Sequence, residues 1–172
     1  MIKVMYLVAL VLFISTFWDE FSHSVRFHPK IPELFGHQLT EHLNDEVEFM
    51  DRLTGYEFED YTAWLLKLNG FSAVQQTDKN NDNGFDVLAM CHNNWYGFQC
   101  KHYRNRLVNR RVVKHTSDAG HYYGTDYSVI ITNADFDRVA KRDQQFFHVI
   151  FWDRQVLIKL IRNAINATYE AD

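Results

Sequence analysis

The chain has 172 residues, a formal net charge of −4 and two cysteines. This length fits one domain of ordinary size with an additional segment, and a hydrophobic fraction of 47% is enough for a packed core. The composition excludes a globally basic nucleic-acid binder, a disulfide scaffold and a low-complexity chain. The acidic excess lies in residues 1–53, which hold 4 of the 18 basic and 8 of the 22 acidic residues. The rest of the chain is therefore neutral overall and can carry a basic patch.

The first twenty residues contain an apolar segment. Residues 4–14 are apolar without interruption, and the apolar character extends over residues 2–18. As a helix this segment would be roughly 26 Å long, close to the ~30 Å hydrocarbon core of a bilayer. We expect a transmembrane anchor over residues 1–20, which would associate the protein with a membrane and leave the remaining domain in the cytoplasm. A cleaved signal peptide of a secreted protein and a packing helix are the alternatives.

Residues 21–52 hold both prolines and are predicted to form a linker that ends in a short helix. We expect this helix to run from Thr40 to Arg52, with Thr40 as its N-cap and Glu41 near its positive end. A compact domain is predicted to follow over residues 53–166. Its first helix begins at Thr54, a good N-cap residue, and continues with apolar side chains at helical spacing.

The polarity pattern beyond residue 53 predicts alternating helices and strands. In chain order they are a helix over 54–69, strands over 71–76, 85–91 and 95–103, a helix over 106–123, a strand over 127–132, a helix over 136–147, a strand over 148–152 and a helix over 154–166. The short turn at residues 92–94 makes its two flanking strands a hairpin. This order predicts an α/β sandwich with a mixed sheet.

Three polar side chains are predicted to meet across this hairpin. Asp86 lies at the start of one strand. Gln99 and Lys101 share one face of the next strand, where Asp86 can contact them. Carboxylate and amide oxygens can hold Mg²⁺, which polarises a phosphate and generates hydroxide, while a lysine steadies the attacking water. The arrangement is typical of metal-dependent phosphodiester cleavage. Either Glu57 or Glu59, on the preceding helix, can add a second carboxylate.

Several short motifs follow one another along this domain. They are LTGYEFE at residues 53–59, NGF at 69–71, DNGFD at 82–86, FQCKHY at 98–103 and ITN at 131–133 with Phe136. Together they resemble the Mrr-like type IV restriction endonuclease domain of the PD-(D/E)xK nuclease superfamily, over about residues 53–162. One departure is mild: the family usually has two glycines before its aspartate, where this chain has Asn83 and Gly84. Asparagine tolerates a left-handed backbone well.

The resemblance implies a restriction-endonuclease-like three-layer α/β sandwich with a mixed central sheet, here preceded by the N-terminal apolar helix. It also implies roles for the residues of the hairpin. Asp86 would be the metal-binding aspartate, Gln99 would occupy the acidic position of the superfamily, and Lys101 would be the catalytic lysine.

The resemblance also bears on the remaining metal ligands. Glu59 matches the Phe-Glu glutamate of the family, which compensates for the lost acid, so we favour it over Glu57. The backbone carbonyl of Cys100 would join the metal shell. The implied cofactor is Mg²⁺, with Mn²⁺ as a substitute.

A basic stretch follows the predicted catalytic strand. No acidic residue lies between Lys101 and Ser117. Basic side chains that leave a catalytic strand and enter a helix suit the phosphate backbone of double-stranded DNA, with an affinity that depends strongly on salt. The candidate DNA-binding residues are Arg104, Arg106, Arg110, Arg111 and Lys114.

These observations favour a metal-dependent DNA endonuclease that restricts foreign or modified DNA. The alternative is a catalytically weak, membrane-tethered nucleic-acid-binding module on the same fold, because Gln99 stands where the superfamily has an acid. A structure-specific resolvase would share the same site chemistry. Cutting both DNA strands requires two active sites, so we expect a homodimer if the protein makes double-strand breaks.

Overall fold

The computed structural model describes residues 39–40, 42–77 and 83–169. The predicted apolar helix and anchor over residues 1–20, Glu41 and Asp82 lie outside these residues. In the described part of the chain, every helix is too short or too polar to span a bilayer.

The helices and strands of the domain follow one another in the predicted order. In chain order they are α1 (Leu43–Arg52), α2 (Gly55–Leu68), β1 (Ser72–Gln76), β2 (Val87–Cys91), β3 (Asn94–Lys101), α3 (Arg110–Tyr123), β4 (Tyr127–Thr132), α4 (Arg138–Phe147), β5 (Val149–Trp152) and α5 (Arg154–Tyr169).

The strands form one mixed sheet in the order β1-β2-β3-β4-β5. β1, β2 and β3 pair antiparallel, whereas β3, β4 and β5 pair parallel. One face of the sheet packs against α2 and α5, with α1 packed on α5, and the other face packs against α3 and α4. The predicted three-layer α/β sandwich with a mixed central sheet is therefore present in the described residues, with β3 joining the antiparallel half to the parallel half.

The larger hydrophobic core lies under α1, α2 and α5. Phe58 and Tyr61 of α2 and Leu160 of α5 are fully buried against Phe98 of β3. Met50 of α1 is also fully buried in this core, so α1 packs as part of the domain. The hydrophobic side chains therefore hold three helices on one face of the sheet.

The N-terminus of α2 forms a capping box. The Thr54 side chain accepts a hydrogen bond from the Glu57 main-chain N–H, and the Glu57 carboxylate accepts one from the Thr54 main-chain N–H. The hydrogen bond from the Thr54 backbone is the main cause that lowers the pKa of Glu57. The prediction of Thr54 as an N-cap is confirmed, and the Glu57 carboxylate takes part in capping the N-terminus of α2.

The start of α1 differs from the prediction. The helix begins at Leu43, with His42 at the N-cap position, and its N-cap side chain makes no capping hydrogen bond. The Thr40 hydroxyl donates to the His42 carbonyl, and the Thr40 N–H donates to the Glu46 carboxylate at 3.2 Å. The predicted Thr40 cap is wrong, because the Thr40 hydroxyl bonds to the His42 carbonyl and not to an N–H group of the helix.

The helix predicted from residue 106 also begins later, at Arg110. The Asn109 side chain accepts hydrogen bonds from the N–H groups of Arg111 and Val112 and so caps the helix. Residues 102–109 form a connecting segment, held by a parallel bridge between Val108 and Phe136. Arg104 and Arg106 therefore lie ahead of the helix, because a strong asparagine cap sets where the helix starts.

A glycine in β3 makes room for the residue that precedes Asp86. The Phe85 ring is fully buried and packs directly against Gly97. A Cβ atom at Gly97 would lie 2.0 Å from this ring. Any side chain at position 97 would therefore displace Phe85 and the backbone that leads into Asp86.

We predict that Gly97→Ala lowers the free energy of unfolding by about 1–3 kcal/mol, because the added methyl group overpacks the core. The matched control is Gly55→Ala, since a Cβ atom there meets no atom within 4 Å and should leave stability unchanged or slightly raised. Urea unfolding of both variants measures the difference. Equal stabilities would contradict this account of Gly97.

Candidate active site

The register of the β2–β3 hairpin places Asp86 opposite Gln99. Val87 pairs with Phe98, and the Asp86 main-chain N–H donates to the Phe98 carbonyl at 2.8 Å. Directly opposed residues of an antiparallel pair point to the same face of the sheet. The hairpin therefore brings Asp86 and Gln99 side by side where the sheet ends.

The Asp86 carboxylate is buried and held from two directions. Its side-chain oxygen Oδ2 accepts hydrogen bonds from the Gln99 amide at 2.5 Å and from the Cys100 main-chain N–H at 2.6 Å. Asp86 is 7% exposed and Gln99 2% exposed. Hydrogen bonds to a buried carboxylate offset part of the cost of removing it from water. The Asp86 carboxylate thus has a fixed orientation at the end of β3.

The Cys100 thiol shows which charged groups surround this strand end. Burial is the main cause that raises its pKa well above the ordinary value, and the charges of Asp86 and Glu59 raise it further. The charge of Lys101 acts in the opposite direction. The charges of Asp86, Glu59 and Lys101 therefore all act on this one thiol. The hairpin brings Asp86, Gln99 and Lys101 to the end of β3, and the charge of Glu59 on α2 acts at the same place.

The donor atoms of this site suit a hard divalent cation. Asp86 and Glu59 offer carboxylate oxygens, Gln99 an amide oxygen and Cys100 a main-chain carbonyl, and Mg²⁺ prefers oxygen ligands. In the described part of the chain, no three His, Cys, Asp or Glu side chains gather into a metal-binding group. A cation here would therefore depend on the amide or the main-chain oxygen as well as the two carboxylates.

A second group of polar contacts holds the chain just beyond Lys101. The Asn133 side-chain oxygen accepts from the Tyr103 main-chain N–H at 2.8 Å. Arg154 donates two hydrogen bonds of 2.6 Å to the Asp51 carboxylate and one of 3.1 Å to the Asn133 carbonyl. These contacts join α1, the end of β4 and the start of α5. The sequence pattern gives no signal for these contacts, because Asp51 and Arg154 are 103 positions apart.

The ionisation of two groups follows from this arrangement. Burial by itself would raise the pKa of Asp51, but hydrogen bonds from Arg154 and Asn133 and the charge of Arg154 bring it below the ordinary value. Burial lowers the pKa of His102, whose Nε2 lies 3.1 Å from the Met50 carbonyl oxygen. At neutral pH His102 is therefore largely uncharged and adds little to the positive charge of the basic stretch.

Two of the predicted DNA-binding residues have acidic partners. Arg110 Nε lies 2.6 Å from the carboxylate of Asp143 on α4, and Lys114 Nζ lies 2.6 Å from the carboxylate of Asp118 one helical turn away. A neighbouring carboxylate neutralises part of each positive charge. These two residues are therefore weaker candidates for phosphate contacts than the sequence alone indicated.

The other three basic residues are better candidates for contacts with DNA phosphates. Arg104, Arg106 and Arg111 are exposed, and the described residues provide none of them with a carboxylate within ion-pair distance. The Arg106 guanidinium stacks over the Tyr103 ring at 4.1 Å from its centre. The chain that leaves Lys101 therefore carries exposed positive charge towards the N-terminus of α3.

Comparison with known proteins connects this site to a protein family. The family model Mrr_cat, described as a restriction endonuclease, matches residues 50–161 of the chain. The matched range contains Glu59, Asp86, Gln99 and Lys101. No curated protein sequence matches the chain significantly.

Three solved structures resemble the fold. The DNA modification-dependent restriction endonuclease AspBHI has a TM-score of 0.54 and 16% identity, over 86% of this chain and 44% of its own. The MspJI restriction endonuclease in complex with a 27-mer oligonucleotide has a TM-score of 0.52 and 16% identity, over 76% of this chain and 32% of its own. AF1548, a protein of unknown function, has a TM-score of 0.51 and 18% identity, over 58% of each chain. Each match spans less than two thirds of the other protein, and at these identities it shows a shared fold.

We predict that Asp51→Asn weakens the dependence of stability on acidic pH. The folded-state pKa of Asp51 lies below the ordinary value of 3.8, so its ionised form stabilises the fold at higher pH. This contribution is lost as the pH falls through the folded-state pKa. Between about pH 5 and about pH 2, the free energy of unfolding should therefore fall less in the variant than in the wild type.

Urea unfolding at a series of pH values measures this difference. The other carboxylates with lowered pKa values, Glu57, Asp135 and Asp143, are present in both proteins, so their contributions cancel in the comparison. Parallel stability curves for the two proteins would show that the Asp51–Arg154 pair has no influence on acid stability.

Proposed function

We propose that this chain, which belongs to the Mrr_cat family of restriction endonucleases, is a metal-dependent enzyme that hydrolyses phosphodiester bonds of double-stranded DNA. The observation that carries the proposal is the buried Asp86 carboxylate, held by Gln99 and by the Cys100 N–H at the end of β3. Glu59 and Lys101 lie beside the same strand end. AspBHI is described as DNA modification-dependent, which supports modified or foreign DNA as the substrate in a restriction system.

The residues that would hold the cation are Asp86, Glu59, Gln99 and, through its carbonyl, Cys100. When bound, Mg²⁺ or Mn²⁺ would stabilise negative charge on the phosphate and lower the pKa of a bound water. Gln99 is neutral, so the ligand set has two carboxylates, one fewer than it would have with an acid at position 99. We therefore expect the site to bind a divalent cation more weakly than a site with three carboxylates.

Lys101 contributes a positive charge on the open side of this site. It is the last residue of β3 and is partly exposed, on the same face of the strand as Gln99. Its ammonium group can donate a hydrogen bond to the attacking water or to a phosphate oxygen. Placed in advance of the reaction, such a donor stabilises charge that develops in the transition state.

The exposed arginines beyond Lys101 suit the DNA backbone. Arg104, Arg106 and Arg111 follow the catalytic strand, and guanidinium groups bind phosphate oxygens in a two-pronged geometry. They would hold a phosphate group near the metal-binding residues without reading bases. MspJI, a structural relative, is described in complex with an oligonucleotide, which supports DNA as the partner of this fold.

Two further parts of the proposal concern location and assembly. We propose a membrane anchor over residues 2–18 with the nuclease domain in the cytoplasm, on the basis of the apolar sequence alone. We propose a homodimer for double-strand cleavage, because the described residues of one chain carry a single set of site residues.

The experiment that tests the proposed function is cleavage of modified and of unmodified plasmid DNA by the full chain with Mg²⁺ or Mn²⁺. We predict that Asp86→Asn and Lys101→Ala each reduce cleavage by at least about 100-fold, because they remove a metal ligand and a charge-stabilising donor. Glu59→Gln should also reduce cleavage strongly. Glu57→Gln is its matched control, since glutamine also serves in a capping box, and it should retain activity.

The outcome also separates the enzyme from the binding module. One result is that the wild type cuts no DNA while it and Asp86→Asn both bind DNA in a salt-sensitive manner. This result would overturn the proposal of an enzyme and favour the catalytically weak binding module. Equal losses in Glu57→Gln and Glu59→Gln would contradict the assignment of Glu59 to the metal.

We predict that Arg111 and Lys114 differ in their contribution to DNA binding, although both are exposed on α3. Arg111→Gln should reduce the slope of log affinity against log salt by about 1, because one phosphate contact is lost. Lys114→Gln should change the slope much less, since Asp118 already neutralises its charge. Binding of a fluorescent DNA duplex to the full chain, over a range of salt concentrations, measures both slopes. Equal slopes for the two variants would exclude this distinction.

A further inference from the structure

The main chain directly after Lys101 is held by two consecutive side chains from the end of β4. The Thr132 hydroxyl donates to the Lys101 carbonyl at 2.6 Å, and the Asn133 side-chain oxygen accepts from the Tyr103 N–H at 2.8 Å. Thr132 is fully buried and Asn133 is 6% exposed. The Lys101 carbonyl and the Tyr103 N–H, which lie on either side of His102, are thus both satisfied by side chains.

These contacts lie where the strand ladder ends. Lys101 pairs with Thr132 as the last residues of the β3–β4 register, and His102 and Tyr103 continue the chain outside any strand. Beyond this point the sheet no longer fixes the backbone by regular hydrogen bonds. The two side chains take over that constraint at the position where the Lys101 side chain leaves the sheet.

Asn133 is itself fixed by a pair of charged residues. Arg154 donates to the Asn133 carbonyl while it makes two hydrogen bonds to Asp51, and the Asn133 amide lies 3.4 Å from the Asp51 carboxylate. We call Asp51, Thr132, Asn133 and Arg154 the strand-end clamp. It connects α1, β4 and α5 to the backbone of Lys101 and Tyr103.

From these contacts we propose that the strand-end clamp positions Lys101 for the reaction, without contact of its own with DNA or metal; this rests on the proposed function. Lysine has a long side chain with much rotational freedom, so a small rotation of its backbone moves the ammonium group considerably. A misplacement of about 1 Å in an active site can reduce a rate by roughly 100-fold. The clamp confines the backbone from which that side chain starts.

A role in positioning has consequences that a role in stability alone lacks. Loss of a clamp contact should lower kcat for DNA cleavage and leave KM for DNA nearly unchanged, because the arginines that bind phosphate remain in place. A loss of stability alone would leave the kcat of the folded fraction unchanged. A conservative variant that keeps the hydroxyl should restore the rate.

The test compares Thr132→Val, which removes the hydroxyl at constant shape, with Thr132→Ser, which keeps it, in the full chain. We expect Thr132→Val to lower kcat by about 10- to 100-fold with KM within about threefold, and Thr132→Ser to recover most of the rate. The matched control is Thr116→Val: Thr116 is also fully buried and donates to a main-chain carbonyl at 2.9 Å, but within α3. It should leave kcat unchanged.

Amide hydrogen exchange at Tyr103 supplies a measurement that does not depend on activity. Asn133→Ala should accelerate exchange of this amide by at least about tenfold, since its acceptor is lost, whereas Thr116→Val should leave it unchanged. If Asn133→Ala does not fold, the Thr132→Val and Thr132→Ser pair still decides the question.

Two outcomes would overturn the inference while the proposed function stands. One is a wild-type kcat in Thr132→Val, and the other is a loss no larger than that of Thr116→Val. A wild-type chain that cuts no DNA would instead remove the proposed function and with it the catalytic role of the clamp. In that case the Tyr103 exchange rate still shows whether the clamp holds the strand end.

Discussion

A carboxylate that is taken out of water must find hydrogen-bond donors in the protein. Asp86 finds both of its donors at adjacent positions of β3, the Gln99 amide and the Cys100 N–H. Because side chains alternate between the two faces of a strand, a slip of one residue in the β2–β3 pairing would turn Gln99 away and leave the carboxylate poorly paired. The same bonds that keep Asp86 buried therefore help to fix the register of the hairpin, and this register places Lys101 at the end of the sheet.

The layers on the two faces of the sheet contribute different chemistry to that one edge. α2, packed on the larger core, brings Glu59 towards Cys100, while α3, on the opposite face, carries exposed positive charge in Arg111. The helices on the two faces thus bring opposite charges to the edge where β3 ends. A cation and a DNA phosphate could be held side by side at this edge.

The sequence predicted features that depend on local pattern, and it failed where partners are distant. The Asp86–Gln99 contact was predictable because a short turn fixes the hairpin and the alternation of side chains fixes the face. The start of α3 was placed too early, because the prediction passed over Asn109, a strong N-cap residue that makes the helix begin at Arg110. The acidic partner of Arg110 lies on α4, and the partner of Arg154 lies on α1, so neither could be found from spacing. Lys114 is a different case, since Asp118 stands one turn away on the same helix and was visible in the sequence.

The burial of Met50 and the ion pair of Asp51 with Arg154 have a practical consequence for truncation. A fragment that began at residue 53 would keep every residue proposed to bind metal or DNA, yet it would lack a fully buried side chain of the larger core. Removing a buried methionine leaves a cavity that costs about 2–5 kcal/mol, and Arg154 would lose its carboxylate at the same time. The boundary of a stable fragment is therefore set by α1 and not by Glu59, the first of the proposed site residues. Recombinant expression of the domain should start upstream of Leu43.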